Sequence, residues 1–187
     1  NQDYFDMLYA KVAEAQSKGI YVSVMLFGTG VEMRDDDDWT YSSWMENNNI
    51  NAALAAAFDS HGYSFYTTNA SALEIQKLFV KKTIDTLNDL DNVIWEIINE
   101  PELSRASTWI QGMVSYIRSY EATKSKQHPI WWSSSGWGES DLITINSTAD
   151  IGGVGNDPTF HWLTFSSTSD INNYNKPVIW DNDHIIG

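Results

Sequence analysis

Asn92-Val93-Ile94-Trp95-Glu96-Ile97-Ile98-Asn99-Glu100-Pro101 is the stretch on which the reading of this chain turns. Its apolar, β-branched run stops abruptly at Asn-Glu-Pro. A run of this length bounded by turn residues predicts a buried strand. Pro101 bars Glu100 from helical geometry and ends the strand. A carboxylate is thereby held at the end of a rigid buried element, beside an amide side chain. That placement points to acid/base chemistry.

Working outward, residues about 3–18 predict an amphipathic helix, with Phe5, Leu8, Val12 and Ala15 at helical spacing. Asp3 is the expected N-cap and Gly19 the expected terminator. Ile20 to Phe27 predicts a dense apolar strand. Residues about 29–70 read as a long irregular insertion holding Trp39 and Trp44, with a short helical turn over Ala52–Phe58. Loops this long in a compact domain are usually functional. A second helix is expected from Ser71, whose Ser-x-x-Glu pattern with Glu74 is that of a capping box, to about Leu90. Leu73, Val80, Ile84 and Leu87 mark its apolar face. A third, about Ser107–Lys124, presents Trp109, Met113, Ile117 and Tyr120. Pro129–Ser134, Asp150–Val154 and Lys176–Trp180 complete the expected strands. Helix and strand alternate at parallel α/β spacing, with no linker or repeat to divide residues 1–187, so a single domain is expected.

Composition narrows the function classes. The net charge is −14, which argues against nucleic acid and anionic membranes because little is present to neutralise phosphates. No run nears ~18 consecutive apolar residues, so no transmembrane helix is expected. Cysteine is absent, which excludes disulfide and thiolate chemistry. The acidic, Trp-rich, Asn/Ser/Thr-rich composition fits a secreted, cell-surface or periplasmic polysaccharide-active protein. The chain starts at Asn1 and reads as a mature or trimmed segment. Asn69-Ala70-Ser71 and Asn146-Ser147-Thr148 are glycan acceptor sequences.

The strand followed by Asn99-Glu100-Pro101 resembles the fourth-strand signature of the retaining glycoside hydrolases built on (β/α)8 barrels, of cellulase and β-mannanase type. The layout is also similar to an uncharacterised cellulase-like subgroup of that clan. The shared stretches are Gly19 to Phe27, Asp89 to Val93, Tyr120-Glu121-Ala122 and Gln127-His128-Pro129. In such barrels the catalytic residues sit at the C-terminal strand ends. The resemblance implies an α/β fold of TIM-barrel type. Setting Asn99-Glu100 at strand four makes this chain a partial barrel covering about strands three to seven. A five-strand arc of that kind leaves open edges, is expected to fold poorly alone, and invites another chain or the rest of the barrel.

The same resemblance implies that Glu100 is the acid/base and that Asn99 holds the sugar 2-hydroxyl. Retaining enzymes need a second carboxylate about 5–5.5 Å away. The seventh-strand segment Lys176-Pro177-Val178-Ile179-Trp180-Asp181-Asn182-Asp183-His184 lacks the usual nucleophilic Glu. The subgroup commonly carries Asp-Thr-Asp-His there, so Asp181, with Asp183 second, is the expected nucleophile. Sugar rings stack on aromatic faces. Trp44, Trp137, His161, Trp162, Trp180 and His184 are therefore the expected substrate-binding residues. No cofactor or metal is expected.

Each candidate has a plainer reading. Glu100 could cap the strand end or pair with Arg105, and Asn99 could form a turn. Asp181 and Asp183 could be ordinary loop acids. His184 could orient a carboxylate or simply pack. Glu96, mid-strand, is expected in a structural ion pair, and His128 is expected to be structural. Asp35-Asp36-Asp37-Asp38 reads as a solvated loop, with Ca2+ as the alternative. Asp181-Asn182-Asp183 also matches a short glycosyltransferase metal motif. Overall, the expected function is hydrolysis of poly- or oligosaccharides. The alternative is a non-catalytic glycan-binding or structural/assembly protein derived from a glycosidase.

Overall fold

The computed structural model describes residues 1–28, 39–50, 58, 61–101, 103–132, 150–154 and 177–180. Helix α1 spans Gln2–Ser17. Asn1 caps it rather than Asp3, accepting from the Asp3 amide at 3.1 Å. Gly19, at φ 71°, reverses the chain as expected. Its amide bonds Gln16 O at 2.9 Å and the Ile20 amide bonds Ala15 O at 3.0 Å. This paired closure requires a left-handed residue, which glycine adopts without a Cβ penalty.

Strand β1 is Val22–Met25, and short 3-10 turns at Glu46–Asn48 and Gly62–Phe65 follow. Helix α2 spans Ala70–Leu87. Its cap is Asn69, whose side chain accepts from Ser71 N and Ala72 N at 3.0 and 3.2 Å. The expected Ser71–Glu74 box is not used, because the helix begins one residue earlier and Ser71 already lies in its first turn. Next come β2 (Val93–Glu96), α3 (Leu103–Glu121), β3 (Ile130–Trp131), β4 (Gly152–Val154) and β5 (Val178–Trp180). The expected turn at Ala52–Phe58 lies outside the described residues except for Phe58, which is buried.

Strands β1, β2 and β3 form one parallel sheet in that order, and β4 pairs in parallel with β5 in a second. Val24, Trp95 and Ile130 are register partners, as are Met25, Glu96 and Trp131 one residue on. Successive side chains alternate between faces. The Val24–Trp95–Ile130 row joins the main apolar cluster beneath the helices, together with Val80, Ile84, Leu87, Ile110, Met113 and Ile117. The Met25–Glu96–Trp131 row occupies the opposite face, where Met25 is 44% exposed. Asn92 ties the base of the sheet together. Its side-chain amide donates to Val12 O and Ile20 O, at 3.1 and 2.8 Å.

The expected barrel is corrected by this architecture. Among the described residues, three α-helices and a three-stranded parallel sheet, with a separate two-stranded pair, are too little for a (β/α)8 barrel, even a partial one over strands three to seven. Closing a barrel needs an unbroken run of ladders. Among the described residues, the segment leading into β4 meets β3 where Asp150 N and Ile151 N donate to Ile130 O, at 2.8 and 3.3 Å, and Ile130 N donates to Asp150 Oδ2 at 3.0 Å. The alternation of helix and strand predicted the parallel pairing. It carried no information on how many strands join one sheet.

Candidate functional site

The site begins where β2 ends. Leu26 N and Phe27 N donate to Glu96 O and Ile97 O, at 2.8 and 3.2 Å, and Ile97 N donates to Trp131 O at 2.9 Å. These bonds extend pairing on both sides of the central segment. Ile97 and Ile98 are fully buried behind it. Asn99 makes a single β-bridge and is half-buried, as is Glu100. Pro101 is buried and α3 starts two residues later.

Glu100 lies at φ 49°, the one non-glycine residue at positive φ among the described residues. Such a conformation costs a residue with a Cβ about 1–2 kcal/mol. It persists only where the surroundings impose it. Here the impositions are a buried strand before it and a buried proline after it. Pro101 disfavours right-handed helical geometry at Glu100, as expected from the sequence. The left-handed alternative was not legible there.

An aromatic cluster braces this end of the sheet. Phe27 meets Trp44, Phe65, Phe79 and Trp109 at centroid distances of 5.8, 5.4, 5.8 and 5.2 Å. Trp39 is fully buried and packs edge-on against Phe58 and Phe65, so it presents no exposed ring face. Trp44 is half-buried, with Phe58, Phe65 and Phe79 also around its ring. Gln76 links the layers: its amide donates to Phe65 O at 3.0 Å and its carbonyl accepts from Trp109 Nε1 at 2.9 Å. The long loop after β1 is thus anchored by core aromatics. The Arg105 guanidinium lies 3.5 Å from the centroid of the Tyr63 ring.

On the sheet face away from the helices, Trp131 Nε1 donates to Ser23 Oγ at 2.8 Å and Ser23 Oγ donates to Glu96 Oε2 at 3.0 Å. Glu96 is 8% exposed. This relay across three strands was missed from the sequence, since no local signal brings Ser23, Glu96 and Trp131 to one face of neighbouring strands. His128 is buried between Glu121 and Leu90 at the opposite end of the sheet from Glu100.

Among the expected site residues, the structure brings Asn99, Glu100 and the Trp44 loop toward the C-terminal ends of β1 and β2. Trp180 closes strand β5. Asp181, Asp183, His184, Trp137, His161 and Trp162 lie outside the described residues, as does Asp35 to Asp38. Among the described residues no group of three or more His, Asp or Glu side chains gathers as a metal would need. No helix among them is long and apolar enough to cross a membrane. No protein-family model matches the chain, and neither a curated protein nor a solved structure matches it.

Proposed function

We propose that this chain is a glycoside hydrolase of the retaining, cellulase-like kind, with Glu100 as general acid and then general base. The observation that carries the reading is the backbone of Glu100, a glutamate at φ 49° wedged between a buried strand and a buried proline. Backbone strain of this sort concentrates at sites where a side chain must be aimed. The Asn-Glu-Pro motif supplies the chemistry. Glu100 protonates the glycosidic oxygen as the bond breaks, then takes a proton from the attacking water. Asp181 or Asp183 attacks the anomeric carbon, and Asn99 bonds the 2-hydroxyl. The reading rests on the site rather than on the fold. It carries with it a carbohydrate substrate and a secreted, cell-surface or periplasmic location.

The test is hydrolysis of a broad panel of β-linked oligosaccharides by the wild type and by Glu100→Gln, with the product anomer followed by NMR. Turnover with retained configuration in the wild type, lost by a factor of about 10³ or more in the variant, is the expected result. Equal turnover in the two proteins would remove Glu100 from the chemistry. Saturable glycan binding with no turnover in either would replace the enzyme by a binding protein.

A further inference from the structure

We propose that His128, protonated against the Glu121 carboxylate, forms with it a pH-dependent latch, which seats β3 in the sheet at the end opposite Glu100. This inference is independent of the proposed reaction. His128 Nε2 faces the Leu90 carbonyl oxygen at 2.8 Å, and Nδ1 faces Glu121 Oε1 at 2.7 Å. A carbonyl can only accept, so Nε2 carries a hydrogen. A neutral ring would then present a lone pair at Nδ1 to a carboxylate oxygen. One further proton is required between them.

The surroundings assign that proton to the ring. Glu121 Oε1 also accepts from Trp95 Nε1 at 2.9 Å and from the Asn88 amide at 3.3 Å, and Oε2 accepts from the His128 backbone amide at 2.9 Å. Such a set of donors suits an ionised carboxylate. The side chains of His128 and Glu121 are 4% and 2% exposed, so water does not replace a lost partner.

Four segments meet at this pair. Glu121 is the last residue of α3, and Leu90 and Asn88 belong to the turn after α2. Trp95 sits in β2 with its ring 5.6 Å from that of His128. His128 itself leads into β3 through Pro129, whose carbonyl accepts from Trp95 N at 2.8 Å. The charged groups nearby are few. Lys126 opposes protonation of the ring, but its ammonium is taken up by Asp91 at 2.7 Å and by the Asp89 carbonyl. Asp89 in turn accepts from Tyr9.

Burial works against the charged ring, and the bonds to Glu121 and Leu90 outweigh it, so the pKa of His128 is raised above 6.5. The unfolded chain therefore loses this proton at lower pH than the native one. The latch acts in full below about pH 6.5 and is lost as pH rises through the native value. Within that window the unfolding constant rises with pH from this site, by at most about tenfold per pH unit for a single proton.

Two measurements test the latch in the full chain. The first is side-chain nitrogen NMR of the assigned His128 ring between about pH 5.5 and 9. Both nitrogens should carry a proton at pH 6.5, and above it Nδ1 alone should lose its proton while Nε2 keeps the one it donates to Leu90 O. A neutral single-tautomer signal at pH 6.5 would overturn the proposal. The second is urea unfolding of the wild type and His128→Gln over the same range. The rise of the unfolding constant with pH should be steeper in the wild type than in the variant, and parallel curves would overturn the proposal. If the variant does not fold, the wild-type ring signals decide alone.

Discussion

Trp109 on α3 and Gln76 on α2 are joined by a buried 2.9 Å hydrogen bond, and the same Gln76 amide holds the Phe65 carbonyl of the loop after β1. One fully buried side chain thus fixes two helices and the loop that braces the Asn99–Glu100 strand end. Gln76→Leu would leave an indole N–H and a backbone carbonyl buried without partners. A cost of about 2–4 kcal/mol is expected from two such groups. Urea unfolding measures it. Adding Trp109→Phe should recover part of the loss, because one orphaned donor is then removed.

The strain at Glu100 is testable apart from its chemistry. Glu100→Ala and Glu100→Gly both delete the carboxylate, and they differ only in backbone preference. At φ 49° glycine is the favoured residue. The Gly variant should be more stable than the Ala variant by about 1 kcal/mol. Equal stability, or the reverse order, would show that the backbone there is not strained.

Ser23 is the hub of the relay from Trp131 to Glu96. Ser23→Ala removes the acceptor of a largely buried indole N–H and a donor to a buried carboxylate. The expected cost is about 1–3 kcal/mol by chemical denaturation. Trp131→Phe in the same background should be less than additive, with a coupling of at least about 0.5 kcal/mol.

Asp85 gathers Lys124, Lys81 and the Tyr120 hydroxyl on the surface between α2 and α3. Burial tends to raise its pKa, but the bonds from Lys124 and Tyr120 and the charges of Lys124 and Lys81 outweigh it and hold it below 3.8. The stability from this site is therefore present above about pH 3.8 and lost as pH falls through the native value. Because the cluster is partly solvated, Asp85→Asn is expected to cost under about 1 kcal/mol at neutral pH. That cost should shrink further in about 1 M salt. Melting temperatures at low and high ionic strength give the answer.

Local structure was legible wherever neighbouring residues carry it. The helical spacing of Val12, of Val80, Ile84 and Leu87, and of Trp109, Met113 and Ile117 placed three helices that the structure contains. Gly19 marked its own turn. Caps were less legible, because Asn1 and Asn69 compete with Asp3 and Ser71 only a residue or two away. The expected barrel was overturned, since a resemblance at strand ends says nothing about ladders between distant strands. Glu100 was singled out through its motif, but its left-handed backbone was not legible. Glu96 was expected in an ion pair, and its Ser23 bond depends on strands 73 residues apart.

What the sequence determined by itself is the order of elements, the apolar faces of the helices and the arrest of the β2 segment at Asn99-Glu100-Pro101. These follow from interactions within a turn or two of chain, whose periods of 3.6 and 2 are written in neighbouring residues. The tertiary structure alone decided that Ser23, Glu96 and Trp131 share a face, and that Gln76 serves both Trp109 and Phe65. It also decided that His128 closes on Glu121 and Leu90. Such pairings bring together groups far apart in the chain, and the burial and register that select them exist only once the sheet and helices have packed.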